Sequence, residues 1–133
     1  MDRIDRIILS RLENDSRIPF LKIAKELDVS EGTIRKRVSK LKKQGIIRKF
    51  TISSSKGSSA ILCLTIDKNK KINDMIDKLK KMDIFSIYHV AGDFEIICII
   101  NQLNPDSMEN LLYSIKKIQG IGDVKIYPVL KEI

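Results

Sequence analysis

The sequence predicts an α+β chain in two parts: a three-helix unit over residues 1–52 and a βαββαβ unit over residues 60–133, joined by a linker at 53–59. Three observations carry this. Apolar residues recur at helical spacing three times before residue 46. A small, polar stretch, SSSKGSS, then breaks the pattern. Beyond it, apolar β-branched runs alternate with two further amphipathic segments. With 43% hydrophobic and 32% charged side chains in 133 residues, the composition is that of a folded protein and not of a disordered tail.

The first helix is expected over about residues 2–14, with Ile4, Ile8 and Leu12 on one face, Ile7 beside them and Asp2 as N-cap. The second places Phe20, Ile23, Ala24 and Leu27 at i, i+3, i+4 and i+7, with Pro19 in its first turn, where a missing N–H costs little. Asp28-Val29 breaks that period, and Ser30 is the N-cap candidate of a third helix. Glu31 sits beside the positive end of that helix's dipole, and Ile34, Val38 and Leu41 form its apolar stripe. Gly45 supplies the stop. Residues 46–53, IIRKFTIS, form a β-branched run with basic insertions and are expected as a strand or wing, making the unit a winged helix-turn-helix.

In the second part, residues 60–66 are an apolar strand, and Ile72, Met75, Ile76, Leu79 and Met82 follow at helical spacing. Residues 84–91 and 94–100 are expected as two strands across a Gly92-Asp93 turn. Residues 107–118 align Met108, Leu111, Leu112, Ile115 and Ile118 on a second helix, and 124–130 close as a strand. The order βαββαβ is the ferredoxin-like arrangement, in which both helices cover one face of an antiparallel sheet. The strands are apolar on both alternating sets, Ile96, Cys98 and Ile100 against Ile97 and Ile99. The uncovered face is therefore expected to pack on a second copy.

Charge divides the chain the same way. Of its 25 basic and 17 acidic side chains, residues 1–52 hold fourteen and seven, leaving eleven and ten for the rest. A polyanion belongs with the basic end, through long-range attraction and counterion release. Thr33, Arg35, Lys36, Arg37 and Lys40 lie between the apolar positions of the third helix, so one face can dock inward while a cationic one meets the groove of double-stranded DNA. Thr33, Lys36 and Arg37 are the expected base-edge readers, with Ser30 at the helix start and Arg35 and Lys40 on phosphates. Arg17, Arg48 and Lys49 are candidates for the flanking backbone, although Arg17 can equally pair with a carboxylate of its own unit.

Other classes are disfavoured. No apolar run reaches the length of a membrane span, and the N-terminus lacks the apolar core of a signal peptide, so a cytoplasmic location is expected. Cys63 and Cys98 sit in apolar runs as small hydrophobes, and with one histidine they cannot complete a four-ligand zinc site; no metal or other cofactor is expected. His89 reads as a strand residue, and Tyr88 and Tyr127 serve as interface anchors at least as well as pocket walls.

The ordered set of segments DRIDRIIL at 2–9, LENDSRI at 12–18, IAKELDVS at 23–30, TIRKRVSKL at 33–41, GII at 45–47, GDFE at 92–95 and VLKEI at 129–133 resembles the Lrp/AsnC (feast/famine) family of prokaryotic transcription regulators. The resemblance covers nearly the whole chain. It implies sequence-specific DNA binding, dimers formed through the C-terminal sheets, assembly up to octamers, and an amino acid or other small effector held between those domains. By the same resemblance, effector contacts fall on Ala91, Gly92, Asp93, Phe94 and Glu95 and on Val124 and Ile126. The chain departs from the family pattern at Asp28 (commonly glycine), Glu31 (commonly proline), Glu95 (commonly aspartate), and Val124 and Ile126 (hydroxyl residues in many members). Two alternatives differ in class. An architectural protein could compact DNA without an effector. Sirohaem decarboxylases resemble the same two-domain family, but this chain has no paired carboxylates, Ser-His or Cys-His set at catalytic spacing, so an enzyme is not expected.

Overall fold

The computed structural model describes residues 1–54, 59–101 and 104–133, and the centre of the expected linker, 55–58, lies outside them. The chain divides into two compact units, Met1–Ser54 and Ser55–Ile133.

The first unit is three helices, α1 (Arg3–Asn14), α2 (Phe20–Leu27) and α3 (Glu31–Lys43). Asp2 caps α1 in a capping box. Its side chain accepts from the Asp5 N–H at 2.9 Å, and its own N–H donates to Asp5 Oδ2 at 3.3 Å. Pro19 occupies the N-cap of α2 and not its first turn. The turn after α2 depends on Asp28, the one non-glycine residue with positive φ among the described residues (φ 53°, ψ 47°). That conformation lets the Val29 N–H reach back to the Ala24 carbonyl at 3.0 Å. Gly45 (φ 72°) ends α3, with the Ile46 and Gly45 N–H groups donating to Leu41 and Lys42 carbonyls at 3.0 Å each, the paired bonds of a Schellman motif. Ile8, Ile23, Ile34 and Leu41 are essentially inaccessible at the junction of the three helices, with Leu12, Ala24 and Val38 around them. Each fully buried aliphatic side chain there contributes about 1.5–3 kcal/mol.

The expected wing is not formed among the described residues. Residues 46–54 form no strand within the described residues; their side chains are mostly exposed, Ile52 at 77% and Phe50 at 44%. The β-branched run has no ladder partner among the described residues, and propensity without pairing does not make a strand.

The second unit is β1 (Ala60–Ile66), α4 (Ile72–Lys80), β2 (Ser86–His89), β3 (Ile96–Ile100), α5 (Pro105–Lys116) and β4 (Ile121–Pro128), with an antiparallel sheet in the order β2-β3-β1-β4. This is the ferredoxin-like order. Helix α5 begins two residues earlier than expected, because Asn104 accepts from the Ser107 N–H at 2.8 Å and Pro105 takes the first helical position. The β2–β3 connection spans the six residues 90–95, with Ala91-Gly92-Asp93-Phe94 at its tip closed by the Val90 N–H donating to the Glu95 carbonyl at 2.9 Å, and both strands are shorter than expected.

Residues opposite one another in an antiparallel pair share a face, so the register assigns every side chain. Leu62, Leu64, Ile96, Cys98 and Ile100 point to the helices and pack with Met75, Leu79, Leu111, Ile115 and Ile118. Burial pushes the Cys98 thiol up to about 11, with neighbouring Cys63 adding to the shift, so it behaves as an inert apolar group. The opposite face carries Ile61, Cys63, Ile97, Ile99, Tyr88 and Tyr127, which neither α4 nor α5 covers. Tyr88 and Tyr127 are half exposed.

Candidate nucleic-acid interface

Helix α3 is set by its ends and its stripe. Ser30 Oγ accepts from the Thr33 N–H at 3.1 Å and lies 2.8 Å from the Thr33 hydroxyl, so both hydroxyl side chains are engaged at the helix start. With about 100° between successive residues, Lys36, Lys40 and Lys43 project roughly opposite the buried Ile34, Val38 and Leu41, while Arg35 and Arg37 fall on the two flanks. Lys36, Lys40 and Lys43 are exposed and have no carboxylate partner among the described residues. Gly32 lies on the same outward side, and a Cβ there would meet nothing closer than Ser30 Oγ at 3.9 Å, so a backbone can approach this turn closely. Glycine at this place was not singled out from the sequence; its position one turn before Lys36 was the available signal.

The two arginines have partners. Arg35 donates to Glu31 one turn back at 2.6 Å and stays 64% exposed, a pairing that solvent and phosphate can compete for. Arg37 differs. Its Nη1 donates to Asp2 Oδ2 at 2.6 Å and to Asp5 Oδ1 at 3.1 Å, and its side chain is 29% exposed. The hydrogen bond from Arg37 holds the Asp2 carboxyl below the usual aspartate value, and the two carboxylates raise Arg37 in return. Expected among the base-edge readers, Arg37 here directs its donors at α1, because a flank position faces the neighbouring helix. A second inter-helix pair, Arg11 with Glu26, joins α1 to α2 and lowers the Glu26 carboxyl in the same way.

Arg17 and Arg48 are exposed and lie in no ion pair among the described residues; Lys49 is exposed as well. Lys42 lies 5.7 Å from the Phe50 ring centroid, a cation–π contact tying the segment after α3 to the helix.

The matches with known proteins agree with this geometry. Residues 1–42 match the AsnC-type helix-turn-helix domain, and residues 59–133 match the Lrp/AsnC ligand binding domain. The chain belongs to the Lrp/AsnC family. It is 33% identical over 126 residues to the HTH-type transcriptional regulator LysM of Saccharolobus solfataricus, covering 91% of this chain and 87% of that one. It is 35% identical over 139 residues to the HTH-type transcriptional regulator Ptr1 of Methanocaldococcus jannaschii, covering 98% and 84%. The feast or famine regulatory protein of Mycobacterium tuberculosis, solved in complex with L-methionine, shares the fold at a TM-score of 0.80 and 21% identity, over 98% of this chain and 92% of that one. As a Lrp/AsnC protein this chain is a transcriptional regulator with a helix-turn-helix DNA-binding domain, and its family and relatives are regulators, not enzymes. No helix among the described residues is long and apolar enough to cross a membrane.

The positions that the family resemblance marks for an effector divide. Asp93 and Gly92 are exposed in the β2–β3 loop, and Phe94 lies 5.6 Å from Lys125 Nζ. Glu95 is committed to backbone: its Oε2 accepts from the Ile66 N–H at 3.1 Å, which closes the end of β1. Val124 and Ile126 lie opposite Leu64 and Leu62, on the face that carries the helices, and Val124 packs into that core. The apolar character of Val124, a departure when compared with hydroxyl residues, suits that core, whereas Ile126 remains 37% exposed.

Proposed function

We propose that this Lrp/AsnC regulator works in the cytoplasm as a homodimer or higher assembly that reads palindromic operators. Lys36, Lys40 and Lys43 of α3 enter the major groove and neutralise the phosphates that line it, Ser30 and Gly32 lie against the backbone at the helix start, and Arg35, Arg17, Arg48 and Lys49 meet flanking phosphates. The observation that carries this reading is the alignment of the three lysines opposite the buried stripe, without a carboxylate partner among the described residues. The open face of Ile61, Cys63, Ile97, Ile99, Tyr88 and Tyr127 supports self-association, since an apolar sheet face of this extent marks an interface. Paired recognition helices then meet half-sites about one helical turn, roughly 34 Å, apart.

An amino acid or comparable small effector is proposed near the Ala91–Phe94 loop, supported by the matched ligand binding domain and by the relative that holds L-methionine. Asp93 is the candidate for an effector amine, with Ala91, Gly92 and Phe94 around it. Its binding shifts DNA affinity by a coupling free energy of about 1–3 kcal/mol.

The test is a salt titration of a selected palindrome and a random duplex by fluorescence anisotropy. Affinity for both falls steeply with salt, and the palindrome binds at least about a thousandfold more tightly. Equal affinity for the two sequences overturns specific reading in favour of an architectural protein. Thermal melting with each amino acid tests the effector, and an unmoved midpoint with all of them removes it.

A further inference from the structure

The geometry of the first unit points to a latch, formed by Arg37 with Asp2 and Asp5, that sets the angle of α3. Arg37 is then a positioning residue for DNA recognition and not a DNA contact, an inference that rests on α3 being the reading helix.

The four carboxylate oxygens are divided between two tasks. Asp2 Oδ1 accepts from the Asp5 N–H and Asp2 Oδ2 from Arg37; Asp5 Oδ2 accepts from the Asp2 N–H and Asp5 Oδ1 from Arg37. The capping box that starts α1 thus holds both carboxylates in place before Arg37 meets them, and one nitrogen of the guanidinium serves both. Pre-ordered, charge-assisted partners fix direction as well as distance. Ile8 and Leu12 of α1 share one apolar cluster with Ile34, Val38 and Leu41 of α3, and such packing is non-directional. The other ion pairs seen among the described residues do not tie α3 to a neighbouring helix: Arg35–Glu31 lies within the helix, and Arg11–Glu26 joins α1 to α2. Arg37 and Asp5 are the more sheltered of these side chains, at 29% and 16% exposure against about 40% for both partners of Arg11–Glu26, while Asp2 at the helix start is 54% exposed.

The signs of the effects separate this from simple electrostatics. Removing acidic charge beside a DNA-binding helix tightens binding to every duplex if charge alone matters. A latch requires the opposite for the operator. The full chain carrying Asp2→Asn with Asp5→Asn, which keeps a competent N-cap residue, is expected to lose about tenfold in the ratio of operator to random affinity. Arg37→Gln should lose as much, with no further loss when the three changes are combined, and its salt slope for the operator should stay within about half a unit of the native value. Circular dichroism melts confirm that each variant is folded at the assay temperature, so the ratio reports orientation and not unfolded protein. Should Arg37→Gln not fold, the aspartate double variant and Arg37→Lys carry the test. Lys presents one compact ammonium, and Arg37→Lys is expected to recover less than half of the lost ratio.

Tighter binding of Asp2→Asn with Asp5→Asn to the operator overturns the latch. So does a fall of about one unit in salt slope for Arg37→Gln with an unchanged specificity ratio, the mark of a lost phosphate contact. Failure of the reading helix itself shows elsewhere, as an unchanged slope when Lys36 and Lys40 are neutralised.

Discussion

Neutralising Lys36 and Lys40 together, as Lys36→Gln with Lys40→Gln, tests the interface at its centre. Both side chains are exposed, lie opposite the buried stripe and have no carboxylate partner among the described residues, so neither must break an internal pair to reach a phosphate. Each phosphate contact releases counterions and adds about 0.9 to the slope of log affinity against log salt. Two lysines on each of two recognition helices in the proposed dimer make four contacts, hence a slope smaller by about 3.6. Between about 50 and 200 mM salt the native protein should lose about a hundredfold more affinity than the variant. Arg35→Gln should move the slope less, because Glu31 already neutralises that guanidinium at 2.6 Å. The assay is fluorescence anisotropy of a labelled duplex at several potassium chloride concentrations, with circular dichroism confirming the fold. A slope change below about one for the double variant refutes the assignment of these lysines to DNA.

Three further outcomes follow from other parts of the molecule. Ile97→Asp puts a carboxylate on the open sheet face without touching the helix-side core, and should convert the proposed dimer to monomers by light scattering; an unchanged mass removes that face as the interface. Gly120→Ala combines φ of +95° with a Cβ 2.9 Å from Met75 Sδ and 3.0 Å from Lys70. It should destabilise the second unit by about 1–3 kcal/mol in urea titration, and a change within experimental error contradicts the packing at that turn. Asp2 and Glu26 titrate below their ordinary 3.8 and 4.5 because Arg37 and Arg11 donate to them. A carboxylate lowered by folding contributes stability above its unfolded value and loses it as pH falls through the folded one, so the melting midpoint should start to drop below about pH 4.5. Glu26→Gln should flatten that drop, and identical acid profiles for variant and native protein exclude the Arg11 pairing as its source.

Much of this protein is determined by local sequence. The three N-terminal helices follow from apolar spacing, the caps Asp2 and Ser30, and the stops at Asp28 and Gly45, because a helix and its ends are short-range affairs of a few neighbouring residues. The βαββαβ order is legible for the same reason, and charge segregation marks the basic end as the one that meets a polyanion. What chain neighbours could not decide is which partner each side chain takes at long range. Residues 46–53 have strand propensity but no ladder partner among the described residues. Val124 and Ile126 turn toward the helices because their register against Leu64 and Leu62 sets their face. Arg35, Lys36 and Arg37 are indistinguishable as a basic triplet; tertiary packing brings α1 against one flank of α3, and Arg37 alone of the three meets the carboxylates of another helix.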